Sequence, residues 1–192
     1  MIRLFPVSDV PFGGEDEAAI EWFSTIVQSE APDAVVVTGD LTMRARNHEF
    51  AQATRWLESL RRPITVEVGN HDLPYFNPWA RFFAPYQRFK ALERMIEQPL
   101  DIKGVSIVPL KTTARFQFRL NWSKGYVSGA ALKATLAQVR AIPDGNLILV
   151  TCHHPLVETG SRTTSSTRKG AQALEALSAA GAHAILTGHV HD

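Results

Sequence analysis

Six short apolar runs constrain this chain more than any other feature of its sequence. They are Ile2 to Ser8, Ala34 to Thr38, Pro63 to Val66, Val105 to Pro109, Leu147 to Thr151 and Ala184 to Thr187. Continuous apolar character, without alternation, suits strands that are covered on both faces. Amphipathic stretches separate the first three runs. Glu15 to Ser29 puts Ile20, Phe23 and Val27 on one helical face, with acidic residues in its first turn, where the helix dipole favours them. His48 to Arg61 carries the stripe Phe50, Ala53, Leu57 and Leu60. Strand, helix, strand, helix, strand predicts an α/β fold with a largely parallel sheet covered by helices. A length of 192 residues predicts one domain over residues 1–192.

The remainder is less regular. Leu73 to Leu100 is rich in aromatic residues (Tyr75, Phe76, Trp79, Phe82, Phe83, Tyr86 and Phe89), whose rings are expected mainly in the core. Ser128 is expected to cap a helix bearing Leu132, Leu136 and Val139. Residues 159–170 form a polar loop with Arg162, Arg168 and Lys169.

Five of the six runs stop at oxygen or nitrogen donors: Asp9; Asp40; Asn70 with His71; His153 with His154; and His189 with His191. Ligands of parallel α/β folds bind outside the carboxyl ends of strands, so strands of one sheet would gather these groups along one edge. Each donor alone is ordinary. Gly39-Asp40 is a common turn, and one imidazole of His153-His154-Pro155 could simply satisfy a buried carbonyl. His189-Val190-His191 is more specific, because a spacing of two on an extended strand puts both imidazoles on one side. The joint pattern predicts a shared site for Mn, Fe, Zn or Mg, bound through O and N.

The series Asp9, Gly39-Asp40, Gly69-Asn70-His71-Asp72, His153-His154-Pro155 and Gly188-His189-Val190-His191 resembles the calcineurin-like metallophosphoesterases over nearly the whole chain. Within them it is most similar to bacterial class III cyclic-nucleotide phosphodiesterases and their relatives. The resemblance implies an αββα four-layer sandwich with a two-metal centre at the strand ends. It implies that Asp40 bridges the ions, with Asn70, His153 and His189 on one and Asp9 and His191 on the other. It places His71 near the leaving-group oxygen, steadied by Asp72. The implied activity is hydrolysis of a small phosphate mono- or diester by attack of a metal-bound hydroxide. Arg115, Arg162 and Arg168 are candidates for gripping that substrate; a solvated basic surface is the alternative for each.

Two departures matter. The family's first motif is Asp-x-His, whereas this chain reads Asp9-Val10-Pro11. Proline offers no ligating atom and no N–H. One tight ion is therefore expected, with a second held weakly, through water, or by a nearby carboxylate such as Glu15 or Asp16. Family members also continue past Gly-His-x-His, so the C-terminal part of the second sheet is expected to be missing from this chain. Apolar surface bared in that way would favour a homo-oligomer or poor solubility.

Two other classes stay open. One is a degenerate metal-binding member with little or no turnover, which Pro11 favours. The other is a nucleic-acid phosphodiesterase, against which the net charge of +1 and the lack of a long basic stripe both count. A single cysteine, Cys152, and no apolar run of bilayer length point to a cytoplasmic protein with no membrane partner.

Overall fold

A computed structural model of the chain describes residues 1–74, 77–96, 100, 102–114, 123–158 and 167–190. The first half runs β1 (Leu4–Val7), α1 (Glu17–Glu30), β2 (Ala34–Val37), α2 (Asn47–Ser59) and β3 (Ile64–Val66). Two helices follow, α3 (Pro78–Phe83) and α4 (Gln87–Ile96). The second half runs β4 (Val105–Pro109), α5 (Gly129–Ala141), β5 (Leu147–Thr151), α6 (Gly170–Ala179) and β6 (Ala184–Leu186).

The strands make two three-stranded parallel sheets, β1-β2-β3 and β4-β5-β6. The first three runs share one parallel sheet, as their pattern predicted, but its second face meets the other sheet and not helices; this is the αββα arrangement that the resemblance implied. Alternation along each strand explains how. Val35, Val37, Ile64 and Val66 pack with Val27 of α1 and Phe50 and Leu57 of α2. Val36, Thr65 and Glu67 are buried as well. By the two-residue period of a strand they lie on the opposite face. There Glu67 Oε1 accepts a hydrogen bond of 2.7 Å from Thr151 Oγ1 in β5. In the second sheet Val108, Ile148 and Val150 pack with Val139, Ala173 and Leu177 of α5 and α6. That choice turns Leu149 and Thr151 toward the first sheet. The runs are apolar throughout because one face meets helices and the other meets a second sheet.

Local signals held at the helix starts. Asp16 caps α1, accepting from Ala19 N at 3.1 Å, and Ser128 caps α5, accepting from Ala131 N at 3.1 Å. The aromatic segment differs from expectation. Phe89 is buried, but Trp79, Phe82 and Phe83 are exposed, and Tyr75 and Phe76 lie outside the described residues. The cause is Arg81: it is the buried member of α3, and its Nη2 donates to Ala114 O at 3.0 Å. Anchoring this short helix by its arginine turns the rings outward, where Trp79 and Phe83 stack edge-on at 4.4 Å.

The loops at the carboxyl ends are sewn together. Phe12 N donates to Leu41 O and Met43 N to Phe12 O, both at 3.0 Å, joining the loops after β1 and β2. Gly188 N donates to His153 O at 3.0 Å, joining the loops after β5 and β6. Among the described residues, no helix is long and apolar enough to cross a membrane.

Leu57 and Leu177 are fully buried, one in each apolar cluster. Leu57→Ala and Leu177→Ala are each expected to cost about 2–5 kcal/mol. Both should lower one shared unfolding transition in calorimetry; a second transition moved by only one variant would show that the halves melt separately.

Candidate metal centre

Two glycines let the loops come close enough to form the site. A Cβ on Gly69 would stand 2.0 Å from Asp40 Oδ1 and 2.2 Å from Asp40 N. One on Gly39, whose φ is +100°, would stand 2.6 Å from His153 Nδ1. Side chains at these positions would push apart the ends of β2, β3 and β5. Three candidate ligands also hold left-handed backbone: Asp9 at φ 56°, Asp40 at φ 55° and His189 at φ 73°. Such residues cost about 1–3 kcal/mol each and cluster at functional sites. Here Asp40, so turned, meets His71 N and His153 Nε2 at the ends of β3 and β5.

His153 is the centre of the cluster and is 1% exposed. Its Nδ1 lies 2.8 Å from Thr38 O. A carbonyl only accepts, so Nδ1 carries the ring proton. Nε2 then faces Asn70 Oδ1 at 3.0 Å and Asp40 Oδ2 at 3.3 Å. In the neutral ring these are three lone pairs aimed at one point, so a proton or a cation has to occupy it. Asp9, Asp40 and His153 together offer ligand atoms within 4.8 Å of one another. His189 joins them through its backbone, donating from N to Asp9 Oδ2 at 2.8 Å. Its ring lies 5.1 Å from that of His153. Carboxylate, amide oxygen and imidazole, with the far imidazole N–H fixed on a carbonyl, fit a divalent cation of borderline or hard character.

His154 lies in the same cluster but has no nitrogen to spare. Nε2 donates to Ser123 O at 2.7 Å, and Nδ1 receives the Thr112 hydroxyl at 2.9 Å. Both imidazoles of the pair satisfy a carbonyl, but only His153 keeps its second nitrogen for the cluster.

The electrostatics follow from crowding charge in a dry place. Burial opposes the charge on His153, but its bond to Asp40 and the negative charges of Asp40 and Asp9 outweigh this and raise its pKa. Burial also opposes charge on Asp40, and His153 again outweighs it, so Asp40 is lowered. Burial, then the charge of Asp40, push Asp72 up to about 6; the hydrogen bonds from Gly69 and Thr42 and the charge of His153 pull the other way but do not win. Burial and the neighbouring His153 and His189 hold His154 well below the usual range, so it stays neutral.

The structure thus brings together Asp9, Asp40, Asn70, His153 and His189. His191, Arg115 and Arg162 fall outside the described residues, and Arg168 is exposed at the start of α6. Two expectations need correction. His71 and Asp72 do not pair: His71 Nδ1 donates to Met43 O at 2.9 Å, while Asp72 turns inward to Thr42 and Gly69. Nor do the carboxylates near Pro11 turn to Asp9. Glu15 accepts from Gly13 N and Asp16 caps α1, because each is placed to serve the backbone beside it. Thr38, Thr42, Met43 and Thr112 went unnoticed in the sequence. The first and third act through carbonyls, which carry no side-chain signal.

The calcineurin-like phosphoesterase family matches residues 4–192, and the chain belongs to it. A stretch of 54 residues is 43% identical to the glycerophosphodiester phosphodiesterase GpdQ of Enterobacter lignolyticus. That stretch covers 26% of this chain and only 19% of that protein. The fold is similar to that of a dimetal phosphatase from Danio rerio, with TM-score 0.71 and 12% identity, over 99% of this chain and 82% of the other. It is also similar to purple acid phosphatase from yellow lupin (Lupinus luteus) seeds, with TM-score 0.70 and 15% identity, over 99% of this chain and 38% of the other.

His153 has a raised folded pKa, so its contribution to stability is full below its unfolded value of about 6.5 and is lost as pH rises through the folded value. Asp72, raised to about 6, removes stability as pH climbs from about 4 to that value. His154, held well below its usual range, works the other way below about pH 6.5, but above about pH 7 it and Asp72 no longer titrate in either state. Metal-free protein should therefore melt at a lower temperature at pH 8.5 than at pH 7. A cation bound at His153 Nε2 would displace its proton, so Mn2+ affinity is expected to rise with pH. Calorimetric titration at pH 6, below the ordinary imidazole value, in buffers of different ionisation enthalpy should show proton release on binding. No release would remove His153 from the ligand set.

Proposed function

We propose that this chain is a metal-dependent phosphoesterase acting on a small phosphate mono- or diester. The observation that carries the reading is the convergence of Asp40 Oδ2 and Asn70 Oδ1 on His153 Nε2, at 3.3 and 3.0 Å. Divalent ions bound there would lower the pKa of water and offset negative charge on the phosphoryl oxygens. Asp40, Asn70, His153 and His189 are the proposed ligands of the tighter position. Asp9 and His191, with Asp40 shared, are those of a second and weaker one. Mn, Fe, Zn and Mg all suit these donors.

Each side chain then has a task. Asn70 supplies an oxygen without a charge that would repel phosphate. His71 is exposed, and its Nδ1–H is fixed on Met43 O at 2.9 Å. That leaves Nε2 as the ring atom to meet substrate. In its protonated form it donates to the departing oxygen as a general acid. Arg115, Arg162 and Arg168 are the proposed grips on the phosphate. The name of the bacterial relative, a glycerophosphodiester phosphodiesterase, supports the diester over the monoester.

Pro11 favours a second reading, a metal-binding member without turnover. The nearby Glu15 and Asp16 are engaged by backbone groups beside them, which supports this reading. Hydrolysis of bis-p-nitrophenyl phosphate with Mn2+ separates the two. The phosphoesterase reading expects turnover that falls by about 100-fold or more in Asn70→Ala and His189→Ala. Bound Mn2+ with no turnover would favour the second reading. In either case the chelator-treated and reconstituted protein should hold one ion tightly, and Pro11→His should raise this to two. Two tight equivalents without the substitution would refute the weak second position.

A further inference from the structure

We infer that Asp72 is a positioning residue, a buried clamp that sets Asp40 against Asn70 and His153, and not the partner that charges His71. The inference rests on the metal-dependent reading above. Asp72 is 1% exposed. Its Oδ1 accepts from Thr42 N at 2.9 Å and from Thr42 Oγ1 at 3.0 Å, and its Oδ2 accepts from Gly69 N at 2.9 Å. Thr42 stands two residues after Asp40, and Gly69 stands directly before Asn70. One carboxylate therefore grips both loops that deliver the proposed oxygen ligands.

Neighbouring contacts close the frame. His71 N donates to Asp40 Oδ1 at 2.8 Å, which holds the bridging carboxylate by the oxygen turned away from His153. Thr42 Oγ1 also accepts from Ala45 N at 3.2 Å, so its own proton is directed toward Asp72 Oδ1 or His71 O. The pairing of Phe12 with Leu41 and Met43 extends the frame to the loop that carries Asp9. The His71 ring takes no part. It is exposed, its Nδ1 is on Met43 O, and no hydrogen bond among the described residues joins it to Asp72.

The chemistry explains why the position holds a carboxylate. Three donors, two of them backbone N–H groups, converge on it, and only an acceptor at both oxygens satisfies them. An asparagine of the same shape would set its own NH2 against one of those N–H groups. Serine in place of Thr42 keeps the hydroxyl, whereas alanine loses it.

The test compares the full chain with Asp72→Asn, Thr42→Ala, Thr42→Ser and His71→Ala. Co2+ is the probe, through its binding affinity and visible spectrum. Activity is read on bis-p-nitrophenyl phosphate, whose leaving group needs no proton, and on an alkyl diester of glycerol phosphate, whose leaving group does. The clamp predicts that Asp72→Asn weakens Co2+ binding about tenfold or more. It should also alter the spectrum and slow both substrates by the same factor. Thr42→Ala should do the same in part, and Thr42→Ser should restore wild-type behaviour. If Asp72→Asn keeps wild-type Co2+ affinity and slows only the alkyl ester, as His71→Ala is expected to do, the clamp is refuted. Should Asp72→Asn fail to fold by circular dichroism, the threonine pair decides, because Thr42→Ala with unchanged Co2+ affinity and spectrum also refutes it. A wild-type chain that takes up no Co2+ would instead overturn the metal-dependent reading itself.

Discussion

A buried imidazole nitrogen flanked by two oxygens is stable only with something positive among them. His153 Nε2 sits in that position between Asp40 and Asn70, and its other nitrogen is already committed to Thr38 O. Low dielectric makes the arrangement costly without a proton or cation and strongly favourable with one. Much of the architecture serves that point. Asp40 and Asn70 come from the first sheet and His153 from the second, so the contact also fastens the carboxyl ends of the two sheets.

The surrounding backbone is shaped to allow it. Asp9, Asp40 and His189 accept left-handed conformations, and glycines at 39 and 69 remove the atoms that would keep the loops apart. Local stability is spent at the strand ends and regained in the apolar clusters behind them. Fold and site are consistent in this sense: rigid strands present the donors, and the strained residues occur where the donors turn inward.

Much of this was legible in the sequence. Apolar runs ending in Asp, Asn and His located the strands and the cluster, because burial and ligand chemistry both leave marks on residue type. The partners of those groups were not legible. Asp72 looked like a companion for His71 because the two are adjacent, yet neighbours on a tight turn point apart, and its contacts are Thr42 and Gly69. A fully apolar strand reads the same whether its second face meets helices or another sheet, so the strand pattern alone pointed to helices on both faces, while the family resemblance supplied the second sheet. The rings of α3 looked like core because aromatics usually are. Nothing local announces that Arg81 is the residue turned inward.

His154 has a consequence for which metals the chain accepts. Its ring lies 4.7 Å from that of His153 and 4.6 Å from that of His189, close enough to complete an all-imidazole trap. Such nitrogen-rich sites favour copper, which outcompetes other first-row ions on affinity alone. His154 binds Thr112 and Ser123 with its two nitrogens, so the third imidazole is withheld and oxygen donors would have to complete any coordination. Two hydrogen bonds on one ring would thereby bias any ion bound beside it away from copper.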